Sequence, residues 1–327
     1  APCDPKPSAT TQSMHVVISG AGPCGLLAAL QLQMAGIRCT VLERAAENQL
    51  EADVGSGYDL SPSSAEVLKR LGLGDTLGAD GLFRGNSAIW VSATDGTVLR
   101  LAPLSDKQHA GYYVATRSQL QRTLLGALRA GGLCTIRHGY EDGSEGPAAG
   151  NAAPADEKAA PADADVSARL LCGYEVISFE EDEEGVNVKY RPRGQAAESP
   201  TSVLRADALL GCDGVHSAVR SCLHAASGDG LRFCGAVTFW GGTELVAGTA
   251  LEAAVVSSQA KGDAFMIVVG TRDCPATIVA GMTDSAAIAG GKKVTWAMTM
   301  PKEAAGAAGD RVAGVSAVVG ADLTRRG

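Results

Sequence analysis

Six consecutive residues, Gly20-Ala21-Gly22-Pro23-Cys24-Gly25, and one acid, Glu43, have the types and spacing to do chemistry. The glycines stand in the pattern G-x-G-x-x-G. They fall between a short apolar run, His15-Val-Val-Ile-Ser, and a helical pattern from Pro23 to Met34 that Gly36 closes. In such a turn the first glycine permits a tight bend, the second lets a diphosphate approach the backbone, and the third lets helix and sheet pack closely. Free N–H groups at the helix start, with the positive end of the helix dipole, then hold the phosphates. Glu43 lies 18 residues after Gly25, at the carboxyl end of a second apolar run that begins at Cys39. A carboxylate there can accept the hydroxyls of an adenosine ribose. A glycine-rich turn without a ligand would need neither the flanking elements nor the acid. The set Gly20, Gly22, Pro23, Cys24, Gly25 and Glu43 therefore reads as a dinucleotide site, although it does not by itself choose between FAD and NAD.

Two short apolar strands separated by one helix form a βαβ unit, which places the amino-terminal part in the α/β class with parallel strands. The spacing predicts a further short helix over Ser61 to Leu73 and two strands over Ala88 to Leu101 around an Asp95-Gly96 turn. A helix capped by Ser118, with Leu120, Leu124, Leu125 and Leu128 on one face, precedes a strand at Cys134-Thr-Ile-Arg. Residues 141–168 are acidic and rich in Ala, Pro and Gly, and read as a flexible insertion. Strands resume at Tyr174 to Glu180 and Val186 to Tyr190, and Ala208-Leu-Leu-Gly leads into Cys212-Asp213-Gly214. The pattern beyond Leu231 is β-like, and Trp240 and Trp296 on its strands read as core rather than as surfaces for stacking a substrate.

Three features in order give the chain a family resemblance: the glycine fingerprint ending in Glu43-Arg44, a helix opened by Arg117-Ser118-Gln119-Leu120, and the run Gly211-Cys212-Asp213-Gly214-Val215-His216-Ser217-Ala218-Val219-Arg220 after a strand. The arrangement resembles the FAD-dependent monooxygenases of the p-hydroxybenzoate hydroxylase type, the class A flavoprotein hydroxylases, over about residues 14–300. The resemblance implies a Rossmann-like FAD-binding domain with an interleaved β-sheet substrate domain. It implies NAD(P)H as electron donor and O2 as co-substrate. An aromatic or related apolar small molecule would be hydroxylated through a flavin C4a-hydroperoxide. By the same resemblance Glu43 binds the adenosine ribose, Arg44 completes that strand-end pair, Arg117 helps hold FAD, and Asp213 and Gly214 lie by the cofactor, with Asp213 also linked to NAD(P)H handling. No catalytic side chain is assigned, because the cofactor performs the bond-making. Read singly, Asp213-Gly214 is a turn, Arg220 a helix-capping cation and Arg117 a solvated side chain; the ordered set speaks against all three together.

The family's third element, a GD motif followed by a histidine and a proline, is not found. Gly262-Asp263-Ala264 runs into an apolar strand, and Gly309-Asp310 is followed by Arg-Val-Ala-Gly. The expectation is a chain truncated at its carboxyl end. The alternatives to the monooxygenase reading are another FAD-dependent oxidoreductase of halogenase or isoprenoid reductase type, or a truncated non-catalytic FAD-binding remnant. A plain NAD-dependent dehydrogenase would leave the DG run without a role.

Composition bounds the rest. With 327 residues, 46% hydrophobic, the chain can bury a substantial core, and a net charge of −8 gives no general attraction to nucleic acid or anionic lipid. Nine scattered cysteines without a CxxC pair suggest neither a disulfide framework nor a zinc site, and fit a reducing, cytoplasmic compartment. The five histidines show no metal-ligand spacing, and no GxSxG elbow supports hydrolysis. No membrane anchor is visible. The expected organisation is a disordered leader over 1–13, the FAD domain over 14–79 and 111–227, the substrate domain over 80–110 and 228–300, and a weakly structured tail over 301–327.

Overall fold

Strand β1 (His15–Ser19) and strand β2 (Arg38–Glu43) pair in parallel, His15 opposite Arg38 and Ser19 opposite Leu42. Helix α1 (Pro23–Met34) makes the crossover between them. Proline at its first position needs no N–H partner there, and Gly25, Leu26, Ala29 and Leu30 are buried on the face toward the sheet. This is a computed structural model; it describes residues 14–52, 57–74, 83–85, 87–92, 98–103, 112–137, 168–195, 201–226, 233–244, 263–269, 277–284 and 292–301. The predicted Asp95-Gly96 turn, the leader, residues 141–167 of the insertion and the tail after 301 lie outside these residues.

After a short helix α2 (Glu47–Leu50), the same unit continues with α3 (Arg117–Ala130), β3 (Cys134–Arg137), β4 (Ala168–Cys172), β5 (Tyr174–Asp182), β6 (Gly185–Pro192), β7 (Ser202–Ala206), β8 (Ala208–Gly211) and α4 (Ala218–Leu223). The parallel sheet has the order β8-β1-β2-β4-β3. Strand β4 is a correction to the sequence reading, which resumed strands only at Tyr174. Ala168, assigned to the insertion, is fully buried and starts this strand beside β2. Arg169 breaks the apolar run and no β-branched residue marks it, so a strand buried in the sheet carried a weak signal.

Strands β5, β6 and β7 form an antiparallel sheet, and its Val176, Val186, Val188, Tyr190 and Ala206 close a core with Val17, Leu42, Leu171 and Val219. Tyr174 and Tyr190 meet edge to face, with ring centroids 5.6 Å apart. On α3, Leu120, Leu124, Leu125 and Leu128 are all buried, as their spacing predicts. The side chain of Gln33 near the end of α1 donates to Leu128 O and Gly131 O, tying the two helix ends together.

Contacts divide the chain into two compact units, one of residues 1–52 and 118–230 and one of residues 53–117 and 231–327. The second unit holds a six-stranded sheet in the order Ala236–Glu244, Lys292–Pro301, Thr277–Asp284, Asp263–Val269, Ser87–Ser92, Val98–Pro103. It also holds a three-stranded sheet centred on Tyr112–Thr116. The strand Gly57–Leu60 pairs with Tyr112–Thr116, so this segment and the helix Pro62–Leu68 after it group with the second unit, whereas the sequence reading put them in the first domain. Within the large sheet Val237, Phe239 and Met298 pack against buried Met300. Trp240 falls on the alternate side of its strand and is 57% exposed, so the expectation of core packing does not hold for it.

Among the described residues no helix is long and apolar enough to cross a membrane. None of their His, Cys, Asp and Glu side chains group as metal ligands, and Cys24, Cys39, Cys172, Cys212, Cys222 and Cys234 are free thiols.

Candidate functional site

The three glycines of the loop between β1 and α1 meet different surroundings. Gly20 has φ +97°, and a Cβ added there would lie 2.6 Å from the carbonyl oxygen of Cys212, so both conformation and space require glycine. At Gly25 an added Cβ would lie 1.9 Å from Gly20 O, because the first turn of α1 is pressed onto the loop. Gly22 has φ −68° and ψ 176°, which any residue adopts, and among the described residues nothing but its chain neighbours lies within 4 Å of its Cβ position. The fold makes no demand for glycine at 22, so the space kept clear there is available to a ligand.

The backbone around that space presents donors. Pro23 has no N–H, and the first intrahelical bond runs from Leu26 N to Gly22 O at 3.0 Å. Among the described residues the N–H groups of Gly22, Cys24 and Gly25 have no acceptor. The first turn of α1 carries no acidic side chain, and its twelve residues supply a positive dipole end. Cys24 is exposed at this end. An anion is what such a group of donors recognises.

Glu43, at the end of β2 and almost buried, holds the loop directly. Its Oε2 accepts from Ala21 N at 2.6 Å, and its Oε1 accepts from Ala45 N at 2.7 Å. On the other side of Ala21, the Gln121 side chain on α3 donates through Nε2 to Ala21 O at 3.1 Å. Gln121 was not singled out in the sequence; only its spacing, one turn after Arg117 on the same helix, could have suggested it. Arg44, beside Glu43, is exposed, and Arg117 opens α3 half-buried. Neither arginine makes a hydrogen bond or ion pair among the described residues.

The second turn that the sequence singles out, after β8, lies against the first: a Cβ on Gly20 would lie 3.0 Å from Asp213 Cα. Asp213 Oδ2 accepts from Ala218 N at 2.8 Å and Val219 N at 3.3 Å, which caps α4, and Ser217 Oγ accepts from Arg220 N at 2.9 Å. The other oxygen of Asp213, Oδ1, is buried without a partner among the described residues. Gly214 makes the turn at φ +79°. Arg220 reaches back to donate to the carbonyls of Gly214 and Val215, so it braces the turn instead of capping a helix end. Burial pushes the Cys212 thiol above its ordinary pKa, and neighbouring Cys24 and Asp213 add to the shift. His216 is an exposed turn residue. The structure thus brings Gly20, Gly22, Gly25, Glu43, Asp213 and Gly214 together around one loop, where three free N–H groups can bind phosphate and two carboxylates can accept hydroxyls.

Comparison with known proteins agrees with this arrangement. A family described as "FAD binding domain" matches residues 13–267. The chain is 34% identical over 143 residues to the 3-amino-4-hydroxybenzoate 2-monooxygenase PtnB3 of Streptomyces platensis, covering 41% of this chain and 35% of that protein. It is 31% identical over 219 residues to the phenazine 1,6-dicarboxylic acid hydroxylase PhzS of Lysobacter antibioticus, covering 66% of this chain and 44% of that protein. The chain therefore spans less than half the length of these relatives. In fold it is similar to Pseudomonas aeruginosa PqsL in complex with 2-aminobenzoylacetate, with a TM-score of 0.60 at 18% identity over 89% of this chain and 62% of the other. Klebsiella pneumoniae HpxO, solved with FAD and uric acid, gives a TM-score of 0.57 at 20% identity over 89% and 57%. With its parallel α/β sheet, its glycine loop and a family match over most of its length, the chain belongs to the FAD binding domain family.

Proposed function

We propose that the chain carries the flavin-binding part of an NAD(P)H- and O2-dependent monooxygenase that hydroxylates an aromatic or related apolar small molecule. The observation that carries this reading is the space at Gly22, clear of described residues, beside three N–H groups without an acceptor among them. In this reading Gly20, Gly22, Pro23, Cys24 and Gly25 surround the diphosphate of FAD, and the N–H groups of Gly22, Cys24 and Gly25 bind it. Each Glu43 oxygen takes one backbone N–H and retains a lone pair for a ribose hydroxyl. Among the described residues Arg44 and Arg117 are cations without a partner and Asp213 Oδ1 is unpaired, so the arginines can face the phosphates and Oδ1 a further hydroxyl, with Gly214 turning the chain beside it. Bound FAD would supply the redox chemistry, taking electrons from NAD(P)H and activating O2. The chain's own part is to bind and orient that group. The relatives named above are a monooxygenase and a hydroxylase of ring compounds, which supports the substrate class. The free thiols support a reducing, cytoplasmic setting.

The test is the visible spectrum of the purified chain with and without added FAD, followed by NAD(P)H oxidation in the presence of aromatic acids. Flavin uptake with oxidation stimulated by an aromatic compound is expected. Uptake with no stimulation by any aromatic points to another flavin reaction or to a non-catalytic remnant, and a chain that takes up no FAD removes the reading.

A further inference from the structure

We infer that Gln121 is a positioning residue for the diphosphate, holding the Ala21–Gly22 peptide so that the Gly22 N–H faces the ligand side. This rests on the flavin-nucleotide reading and assigns a role to a residue that touches no ligand. Ala21 is fully buried and gripped at both ends, its N–H by Glu43 and its carbonyl by Gln121. In a planar trans peptide the C=O and the following N–H point in opposite directions. With Ala21 O turned to α3, the Gly22 N–H is turned away from it, and that N–H has no acceptor among the described residues. Gly22 lacks a side chain that would restrain its own rotation. A flipped peptide would put the Ala21 carbonyl where the Gly22 donor stands, and a carbonyl dipole there repels phosphate. Gln121 is the donor that opposes this flip.

The burial of Gln121 speaks for the same role. The residue is completely buried, yet its Oε1 has no hydrogen-bond partner among the described residues. A leucine or methionine would fill similar volume in the apolar face of α3 and leave no acceptor unpaired. The amide is a poor choice for packing and a suitable one for donating to Ala21 O.

The experiment uses the full chain and three variants, Gln121→Met, Gln121→Leu and Gln121→Glu. FAD affinity is read by flavin fluorescence, ADP affinity by calorimetry, and folding by circular dichroism and thermal melting. Gln121→Met is expected to fold as the wild type and to lose about tenfold or more in affinity for both FAD and ADP, as a fall of the competent peptide orientation to one tenth requires. Gln121→Glu carries a carboxylate that cannot donate at neutral pH but donates an O–H once protonated. Its FAD affinity should therefore recover toward the wild-type value between about pH 8 and about pH 5.5, while Gln121→Leu stays weak throughout. Because a buried carboxylate beside Glu43 also strains the fold, circular dichroism and melting of the Glu variant are followed over the same range. The inference requires affinity to recover at pH values where folding is already that of the wild type, and a recovery that only tracks refolding overturns it. Variants that fold and bind FAD and ADP as the wild type does overturn the inference, as does a Glu variant whose affinity stays flat with pH. Should Met and Leu both fail to fold, the Glu variant's pH profile decides. A wild-type chain that binds ADP but not FAD overturns the flavin reading while leaving Gln121 to be judged on ADP; one that binds neither overturns both.

Discussion

A Cβ at position 22 meets nothing among the described residues beyond its chain neighbours, while one at position 25 runs into the Gly20 carbonyl. Two glycines of one motif should therefore fail in different ways. Gly22→Asp places a favoured capping side chain at the N-terminus of α1, so stability should stay level or rise by about 0.5–1 kcal/mol, measured by urea unfolding. The same carboxylate opposes the diphosphate, and FAD titration should show binding lost. Gly25→Ala should cost about 3 kcal/mol or more, because helix and loop would have to separate. Equal destabilisation by both substitutions would contradict the assignment of Gly22 to a ligand. Cys24 gives an independent check. It is an exposed thiol next to the free N–H groups, while Cys234 is exposed in the other unit. FAD should slow alkylation of Cys24 and leave Cys234 unchanged, as read by peptide mass spectrometry.

At the level of elements, the strand-turn-helix-strand of the amino-terminal part was legible because its apolar runs, its glycines and Pro23 all point to the same local structure. Helix α3 was legible from its leucine spacing, and β8 from the apolar run before Asp213. Strand β4 was not, since Ala168-Arg-Leu-Leu-Cys is short and follows an acidic stretch. In the site, the sequence named the glycines, Glu43 and Asp213 but not how they are braced. The bonds from Ala21 to Glu43 and Gln121, and from Arg220 to the Gly214 turn, join residues by tertiary packing that no spacing rule encodes. The strand β1 carries its own test. The His15 ring lies between Arg205 O, 3.3 Å from Nδ1, and Thr40 Oγ1, 2.9 Å from Nε2. Burial holds its pKa below the ordinary 6.5, nearby Arg38 and Arg169 push the same way, and the Arg205 carbonyl and Asp207 oppose. The folded state thus prefers the neutral ring, and the unfolded chain binds the proton first. Stability from this site is full above 6.5 and is lost as pH falls below it toward the lower folded-state value. The urea midpoint should drop more steeply for the wild type than for His15→Gln between about pH 7.5 and about pH 5.

For the whole molecule, a ligand bound only by the folded chain must stabilise it. FAD at a hundred times its Kd should add about 2.7 kcal/mol and raise the melting temperature in proportion to the logarithm of its concentration. AMP, which lacks the diphosphate bridge, should give a smaller shift at the same concentration. A melting temperature indifferent to FAD would leave the open loop without its proposed occupant.

The pairing of β1 with β8 sets His15–Ser19 beside Ala208–Gly211, partners almost two hundred residues apart. During translation, at about 5–20 residues per second, the first strand leaves the ribosome about 10–40 s before the one that must lie beside it. Through that interval Val16, Val17 and Ile18 have β2 on one side and nothing on the other. A nascent chain stalled before residue 208 should be captured by chaperones and cut readily by protease, and release only a few residues later should bring protection to the entire sheet.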